Sequence, residues 1–254
     1  MKIVVIGGTG LIGAALSDRL RRDGADVLVA APSTGVDTRN ALGLERALAG
    51  ARVVVDVSNS PSPNPEVAMD FFRNSARNIT AAEIKAGVEH HVVLSIVGIE
   101  RLQESGYFRA KRAQEEQVRR AGVPYTLLHA TQFFEFIKTI ADAATTDGAV
   151  RLPPARFQPV AAQEVADRLS ALALGSPINA TLEFAGPEEL DLGFAVNKCL
   201  AAGGDPRAVL EDSGARYFGA CIRADELLPA PGADRGAITL IEWLTTRSRR
   251  THLE

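Results

Sequence analysis

The sequence predicts an α/β fold built on a doubly wound parallel sheet, followed by a small and irregular C-terminal portion. Short runs rich in Val and Ile alternate with longer amphipathic segments up to about residue 130. That alternation is typical of strand–helix–strand units with right-handed crossovers and a sheet covered on both faces. A glycine-rich turn directly follows the first apolar run. Beyond residue 130 the alternation weakens, and residues 203–235 are rich in Gly, Pro and Asp.

Hydrophobic periodicity places the elements of the first half in order. Strands are predicted at 2–6, 26–31, 52–57, 90–95 and 125–129, and helices at 12–23, 41–49, 66–86 and 106–121. Each predicted helix is followed at once by a glycine, the residue most common after helix ends: Gly24, Gly50, Gly87 and Gly122. The proline-rich stretch 58–65 is predicted to be a loop.

In the second half the pattern predicts helices at 133–144, 163–174, 192–202 and 238–247 and a strand at 181–185. Residues 203–235 show no clear period, so we expect a loop with short elements there. No internal repeat is visible in the sequence. We therefore expect a single domain over residues 1–254, in which residues from about 150 onward form a less regular lobe.

Composition and charge exclude several classes of protein. Hydrophobic residues make up 46% and charged residues 23%, which is ordinary for a folded chain. With 28 Lys and Arg against 31 Asp and Glu, the net charge of −3 offers no basic field for nucleic acid or for an anionic membrane. No apolar run is long enough for a membrane span or a secretory signal. We expect a cytoplasmic protein that binds neither membrane nor nucleic acid.

The sequence contains no pattern typical of a metal site. Cys199 and Cys221 lie too far apart for a metal-ligand pair. Reduced, structural cysteines are expected, and a single disulfide is the alternative. His90 and His91 are adjacent and would point to opposite faces of the predicted strand.

The first candidate site is the turn Gly7-Gly8-Thr9-Gly10-Leu11-Ile12-Gly13. It lies between a predicted strand and a predicted helix, as the dinucleotide-binding fingerprint requires. Glycines in such a turn permit close approach of a pyrophosphate, and the helix N-terminus attracts its charge. A glycine turn can also serve backbone conformation alone. Its position here favours dinucleotide binding.

The residues after the second predicted strand bear on the choice of cofactor. Ala30-Ala31-Pro32-Ser33-Thr34 contains no carboxylate for a ribose 2′-hydroxyl and no arginine for a 2′-phosphate. Ser33 and Thr34 could hydrogen-bond either group, and the lack of a repelling carboxylate favours NADP(H) over NAD(H). Asp37 is placed either to meet the adenine edge or to stabilise a turn.

The second candidate site is the pair Tyr107 and Lys111, with Ser95 twelve positions earlier at the end of a predicted strand. Residues four apart share a helix face, so the Lys111 ammonium is expected to lower the pKa of the Tyr107 phenol. Such a tyrosine could exchange a proton with a carbonyl oxygen that Ser95 binds. Ser95 could also be an ordinary turn residue.

Together these features resemble the short-chain dehydrogenase/reductase superfamily, which has a Rossmann fold. Residues 120–128 and 160–166 resemble more narrowly its atypical NmrA-like branch, and the similarity spans about residues 1–190. Two departures are visible. An arginine often found after the second strand is absent, and another after the Tyr125 strand is replaced by His129.

The resemblance implies roles for individual residues. Thr9, Leu11 and Ile12 would line the pyrophosphate beside Gly7, Gly10 and Gly13. Asp37 and Thr38 would flank the adenine, while Ser58 and Asn59 would run under the ribose and nicotinamide. Ser95, Tyr107 and Lys111 would be the catalytic set, with Lys111 also holding the ribose.

We therefore expect an NAD(P)H-dependent oxidoreductase that transfers hydride to a small, hydrophobic carbonyl or conjugated carbonyl compound. The main alternative is a non-catalytic NAD(P)-binding sensor of the NmrA type. A sugar-nucleotide epimerase fits less well because the part after residue 150 is small. The partner would be a small-molecule substrate, and the protein a monomer or homodimer.

A substrate pocket is predicted where the Tyr125 strand runs into residues 130–136. Phe133 and Phe136 share one face of a helix and Phe134 diverges from them. We expect Phe133 to project towards the nicotinamide, with His129 and Thr131 near the cofactor. Residues of the later, substrate-side lobe would close an apolar pocket: Phe157, Tyr217 and Phe218. The alternative is that the phenylalanines are core residues.

Overall fold

The computed structural model describes residues 1–251, with side chains described up to residue 246. The chain forms two compact units. The first contains residues 1–95, 106–129 and 163–182, and the second contains 96–105, 130–162 and the chain from 183 onward. The predicted C-terminal lobe therefore differs in extent from the second unit, which also takes two earlier segments.

The elements up to residue 130 alternate strand and helix, as the sequence predicts. They are β1 (Lys2–Ile6), α1 (Leu11–Arg22), β2 (Asp26–Ala30), α2 (Leu44–Leu48), β3 (Val53–Asp56), α3 (Pro65–Ala86), β4 (His90–Ile96), α4 (Gly106–Arg120) and β5 (Tyr125–Ala130). Later elements are α5 (Ile137–Ala143), β6 (Thr145–Thr146), β7 (Ala149–Leu152), β8 (Arg156–Phe157), α6 (Ala162–Leu174), β9 (Thr181–Ala185), β10 (Leu190–Asp191), α7 (Leu192–Ala202), β11 (Val209–Glu211), β12 (Asp234–Arg235) and α8 (Leu240–Thr251).

The first unit is built on a sheet whose strands run in the order β2-β1-β3-β4-β5-β9. Strand β1 pairs in parallel with both β2 and β3, since Ile3 lies opposite Val27 on one side and Val53 on the other. The chain therefore reverses its direction of travel across the sheet at β1. In open α/β sheets, ligands bind outside the carboxyl ends of the strands at such a point. The carboxyl ends of β1 and β3 are consequently the expected ligand side.

Apolar residues at strand and helix spacing form the core of the first unit. All of β1 from Ile3 to Ile6 is buried, and Leu16 and Leu20 of α1 have no exposed surface. Fully burying one such side chain contributes roughly 1.5–3 kcal/mol. Helix α3 is capped at its start by the Asn64 side chain and ends at Gly87, whose φ of 68° suits glycine.

The second unit contains short strands and three helices in its described part. Strands β11, β7 and β6 form one small sheet, and β8 pairs antiparallel with β10. The last residues of β9, Phe184 and Ala185, pair in parallel with β12 and make the central sheet seven-stranded. The loop with short elements predicted over 203–235 contains only β11 and β12.

The α/β class with a parallel central sheet confirms the predicted fold, and most element bounds differ by one or two residues. Helix α2 is shorter than the predicted 41–49 because Ala41 and Gly43 have φ angles of 62° and 72°, which no helix continues. The segment predicted as a helix over 133–144 begins with a 3₁₀ turn at Phe134–Phe136 before α5. Among the described residues, no helix combines the length and apolar character needed to cross a bilayer.

Candidate functional site

Two glycines of the turn between β1 and α1 are required by packing. Gly7 has a φ of 77°, and a Cβ there would stand 2.8 Å from the Cα of Ser58. A Cβ at Gly13 would stand 2.2 Å from the Gly7 carbonyl oxygen. The turn therefore lies tightly between the start of α1 and the loop after β3, which brings Ser58 beside the glycine turn.

Gly10 has a different environment from Gly7 and Gly13. It is the N-cap residue of α1 with a φ of −78°, and a Cβ there would contact only the Gly7 carbonyl oxygen at 3.4 Å. No side chain caps α1, its first turn has no acidic residue, and Leu11 beside it is 48% exposed. An uncapped helix N-terminus with an accessible backbone fits a pyrophosphate, which its N–H groups and dipole attract.

The two hydroxyl side chains of the loop after β2, Ser33 and Thr34, differ in whether they are free to bind a ligand. The Thr34 hydroxyl accepts from the Ala31 N–H at 2.9 Å and donates back to the carbonyls of Val29 and Ala31. Thr34 is thus a turn-stabilising residue, which corrects the expectation that its hydroxyl is free for a ribose. Ser33 is exposed and is the hydroxyl that remains accessible on this loop.

Asp37 and Thr38, predicted to flank the adenine, make internal contacts. The Asp37 carboxylate accepts from the Arg39 N–H and from the Asn40 amide, both at 2.9 Å. This is the turn role left open for Asp37 by the sequence. The buried hydroxyl of Thr38 lies 2.9 Å from that of Ser75, so Thr38 offers no free hydroxyl, and its predicted contact is corrected to a structural one.

Asp56, at the carboxyl end of β3, is a buried carboxylate next to the glycine turn. One of its oxygens accepts from the Ser58 N–H at 2.9 Å, and the other accepts from Gln114 of α4 at 2.7 Å. These bonds hold the loop that carries Ser58 and Asn59 against α4. They also satisfy a charge whose burial would otherwise be costly.

The Tyr107 hydroxyl of α4 donates to the Oδ1 atom of Asn59 at 2.7 Å. The Tyr107 ring packs edge-on against Phe72 of α3, with centroids 5.8 Å apart. Burial raises the pKa of Tyr107 to about 12, and the hydrogen bond to Asn59 offsets this only in part. Burial thus raises the pKa of Tyr107 in the protein itself, whereas the lowering by Lys111 aided by oxidised nicotinamide stays a prediction.

Lys111 lies on the same face of α4 as Tyr107. Its ammonium stands 4.8 Å from the centroid of the Phe72 ring, and the residue is buried. Burial lowers the pKa of Lys111, while the charges of Asp56 and Glu115 oppose that change. Tyr107 and Lys111 thus both contact the Phe72 ring from neighbouring turns of α4, as their spacing predicts. Their polar neighbours differ: the Tyr107 hydroxyl bonds to Asn59, whereas the Lys111 ammonium lies near the charges of Asp56 and Glu115.

Ser95 and His129 lie together around a third residue, Glu115 of α4. The Ser95 hydroxyl donates to Glu115 Oε1, and His129 Nε2 lies 2.9 Å from the same oxygen. Arg119 lies 3.0 Å from the other Glu115 oxygen. Burial opposes ionisation of Glu115, but the contacts with His129, Ser95 and Arg119 hold its pKa below the ordinary value. The single Ser95 proton is thus committed to Glu115.

The sequence reasoning missed Asp56, Gln114 and Glu115. A signal for the last two exists, since Gln114 and Glu115 follow Lys111 by three and four positions and extend the face that begins at Tyr107. Lys111, Gln114 and Glu115 are all buried. A buried polar stripe on an otherwise amphipathic helix marks a site, because polar groups are rarely buried without a partner or a role.

The second unit contains the other predicted pocket residues. Phe133 and Phe136 pack on each other at 5.4 Å, and Phe134 instead contacts Trp243, which confirms the divergence predicted from their spacing. The Thr131 hydroxyl donates to the Gln158 carbonyl at 2.6 Å.

Tyr217 and Phe218 are in edge contact, with centroids 5.0 Å apart. Tyr217 is buried and Phe218 is partly exposed. Phe157 has no exposed surface, so its predicted place in a pocket wall is corrected to the core of this unit.

The glycine turn, the open N-terminus of α1 and the polar face of α4 together define the class of dinucleotide-binding α/β proteins. A family model described as NAD(P)H-binding matches residues 7–172, and the chain belongs to this family. The resemblance to NmrA-like short-chain dehydrogenases/reductases is thereby confirmed. The match begins at the glycine turn and runs through α4 into α6.

A curated relative is (4-alkanoyl-5-oxo-2,5-dihydrofuran-3-yl)methyl phosphate reductase from Streptomyces griseus. It is 31% identical over 163 residues, which cover 59% of this chain and 54% of the relative. The chain thus spans about half the length of the curated relative that it matches. The relative is a reductase, the class of enzyme that the sequence predicts.

Solved structures share the fold over nearly the whole chain. A dTDP-4-dehydrorhamnose reductase from Clostridium acetobutylicum has a TM-score of 0.74 at 14% identity and covers 99% of this chain and 100% of its own. The Bacillus anthracis enzyme of the same name, in complex with NADP, has a TM-score of 0.72 at 13% identity, with 98% and 99% covered. A UDP-glucose 4-epimerase from Thermotoga maritima has a TM-score of 0.70 at 17% identity, with both chains fully covered.

Proposed function

We propose that this protein is an NADPH-dependent reductase of a small carbonyl or conjugated carbonyl compound. The observation that carries the proposal is the Tyr107 hydroxyl, which lies hydrogen-bonded to Asn59 on the α4 face that also holds Lys111. Bound NADPH supplies the hydride in such a reaction. The protein must then bind the cofactor and deliver a proton to the substrate oxygen.

The Tyr107 phenol holds its proton at neutral pH. With a pKa of about 12, roughly one phenol in 10⁵ is ionised at neutral pH. A proton donor must carry its proton when the substrate arrives, and Tyr107 does so.

Four residues of the first unit have a role in this proposal: Gly10, Asn59, Tyr107 and Lys111. The N–H groups at the start of α1 and the accessible backbone at Gly10 bind the pyrophosphate. Asn59 Oδ1 accepts the Tyr107 proton and so holds the phenol in place. When the substrate binds, Tyr107 exchanges this hydrogen bond for one to the substrate oxygen and donates its proton to the developing alkoxide or enolate. The Lys111 ammonium contributes positive charge beside the site and holds the ribose. The contacts of Tyr107 with Asn59 and the accessible backbone at Gly10 support the first two of these roles.

The substrate class is inferred from the curated relative. The relative from Streptomyces griseus is named for a compound with an alkanoyl group on an oxo-dihydrofuran ring, which suits a reductase of carbonyl or conjugated carbonyl groups. His129, Thr131 and the pair Tyr217 and Phe218 stay a prediction as contacts of cofactor and substrate.

The test is NADPH oxidation, followed by absorbance, with a panel of aldehydes, ketones, enones and unsaturated lactones. Compounds that copurify with the protein are identified by mass spectrometry and added to the panel. We expect turnover of at least one conjugated carbonyl, lost in Tyr107→Phe and kept in Tyr125→Phe, a matched removal of a hydroxyl from β5. Turnover unchanged in Tyr107→Phe would overturn the assignment.

A non-catalytic sensor is the second candidate, and one observation favours it. The Ser95 hydroxyl is bonded to buried Glu115 and does not present its proton to a substrate. A sensor needs tight cofactor binding without turnover. Binding of NADPH together with no oxidation across the whole panel would select the sensor over the reductase.

A further inference from the structure

The loop that follows β2 has a rigid backbone and an accessible face. Thr34 ties it to Val29 and Ala31 by three hydrogen bonds, and Gly35 closes the turn with a φ of 80°. Ser33 is exposed on this loop. In dinucleotide-binding folds, the residues at this place select between a ribose 2′-hydroxyl and a 2′-phosphate.

Close packing brings the start of α2 against this loop. A Cβ at Gly43, whose φ is 72°, would stand 2.2 Å from the Gly35 carbonyl oxygen. Arg46 follows Gly43 by three positions and therefore lies about one turn along on the same side of the helix. The Nη2 atom of Arg46 lies 4.0 Å from the position that a Cβ on Gly35 would occupy.

The Arg46 guanidinium is available for a ligand. Its neighbour Glu45 pairs with Lys85 of α3 at 2.7 Å. Within the part of the chain that the structure describes, Arg46 forms no ion pair or hydrogen bond, and it is exposed. Most exposed arginines are simply solvated. Arg46 of α2 differs from these because it stands beside the loop after β2, whose residues 31–36 carry no charge of their own.

We propose that Arg46, together with the Ser33 hydroxyl, binds the 2′-phosphate of NADPH and thereby determines the preference for the phosphorylated cofactor. This inference rests on the proposed function. A guanidinium pairs with phosphate oxygens through two parallel N–H bonds, which makes it the usual partner of such a group. Arg46 of α2 would thus take the place of the arginine that the resemblance implies after the second strand.

The experiment measures binding and needs no turnover. Fluorescence or calorimetric titrations compare ADP-ribose with 2′-phospho-ADP-ribose in the wild type and in Arg46→Ala. We expect the Kd of the 2′-phosphorylated probe to rise about 10- to 100-fold, in line with one or two charge-assisted hydrogen bonds. The Kd of ADP-ribose should stay within about twofold.

Two further variants sharpen the result. Arg46→Lys keeps the charge without the paired donors, so its loss should be intermediate. Arg22→Ala makes the same charge change at the far end of α1 and should leave both Kd values unchanged. If Arg22→Ala raised the Kd of the 2′-phosphorylated probe as much as Arg46→Ala does, the change would reflect the net charge of the protein and not a contact of Arg46. That result would overturn the proposal.

The remaining outcomes separate this inference from the proposed function. Equal weakening of both probes in Arg46→Ala, or no weakening, overturns the role of Arg46. If the wild type binds ADP-ribose and 2′-phospho-ADP-ribose with the same Kd, the role of Arg46 is also overturned. Dinucleotide binding itself is then still supported. Failure of the wild type to bind either probe overturns both.

Discussion

The Tyr107 hydroxyl donates a 2.7 Å hydrogen bond to Asn59 Oδ1, and this bond joins α4 to the loop after β3. Asp56 holds the same loop through its bond to the Ser58 N–H and reaches α4 through Gln114. The loop is therefore attached to the helix at two points. This arrangement restricts the movement of the phenol.

Replacing Tyr107 with Phe should lower kcat by about 10²- to 10⁴-fold, the usual contribution of a positioned general acid. The ring still packs on Phe72, so the Kd of NADPH should change little. Steady-state kinetics on a substrate from the panel and a fluorescence titration measure the two effects. Asn59→Ala should cause a smaller loss of kcat, because the phenol keeps its proton but loses its orientation.

The glycine turn provides a matched pair of variants. Gly10→Ala should keep the free energy of unfolding within about 1 kcal/mol of the wild type and should weaken ADP-ribose binding about tenfold or more. Gly13→Ala should instead destabilise the fold by roughly 1–3 kcal/mol, because its Cβ would overlap the Gly7 carbonyl. Urea unfolding and ligand titration separate these outcomes. Normal ligand binding by Gly10→Ala would argue against a pyrophosphate at this helix end.

Ser33→Asp should reverse the cofactor preference. A carboxylate at this position repels a 2′-phosphate and accepts a bond from a ribose 2′-hydroxyl. We expect the Kd of NADPH to rise at least about tenfold, or about 1.4 kcal/mol, while the Kd of NADH stays equal or falls. Ser213→Asp adds the same charge in the second unit and serves as the control. A tenfold wild-type preference for NADH would contradict the assignment of NADPH.

The buried pair His91 and Glu83 should make stability depend on pH. Burial opposes the charge on His91, but Glu83, 3.1 Å from its Nδ1 atom, raises the pKa of His91 above its ordinary 6.5. The resulting stabilisation is fully present below pH 6.5 and is lost as the pH rises through the pKa of folded His91.

Glu83→Gln removes this dependence. The difference in unfolding free energy between wild type and variant should be largest below pH 6.5 and should shrink at higher pH. Denaturant unfolding from pH 5 to 9 measures it, with exposed Glu211→Gln as the control. A difference that is constant over this range would show that the pair does not titrate as inferred.

Much of the fold follows from local patterns in the sequence. The alternation of Val-rich runs with amphipathic segments predicts every strand and helix of the first unit to within a few residues, because hydrophobic period depends on which face of an element is buried. The glycine turn is visible for the same local reason, since its spacing serves one turn between one strand and one helix. The shared face of Tyr107 and Lys111 follows from helix geometry alone.

Only the tertiary structure decided which polar groups meet. Glu115 joins Ser95 and His129 because β4 and β5 are neighbours under α4, and Arg46 reaches the loop after β2 because Gly43 packs on Gly35. Periodicity reports that a face is buried, but the partners on that face come from distant parts of the chain. The raised pKa of Tyr107 has the same origin, since burial depends on the surrounding elements and not on the residue four positions away.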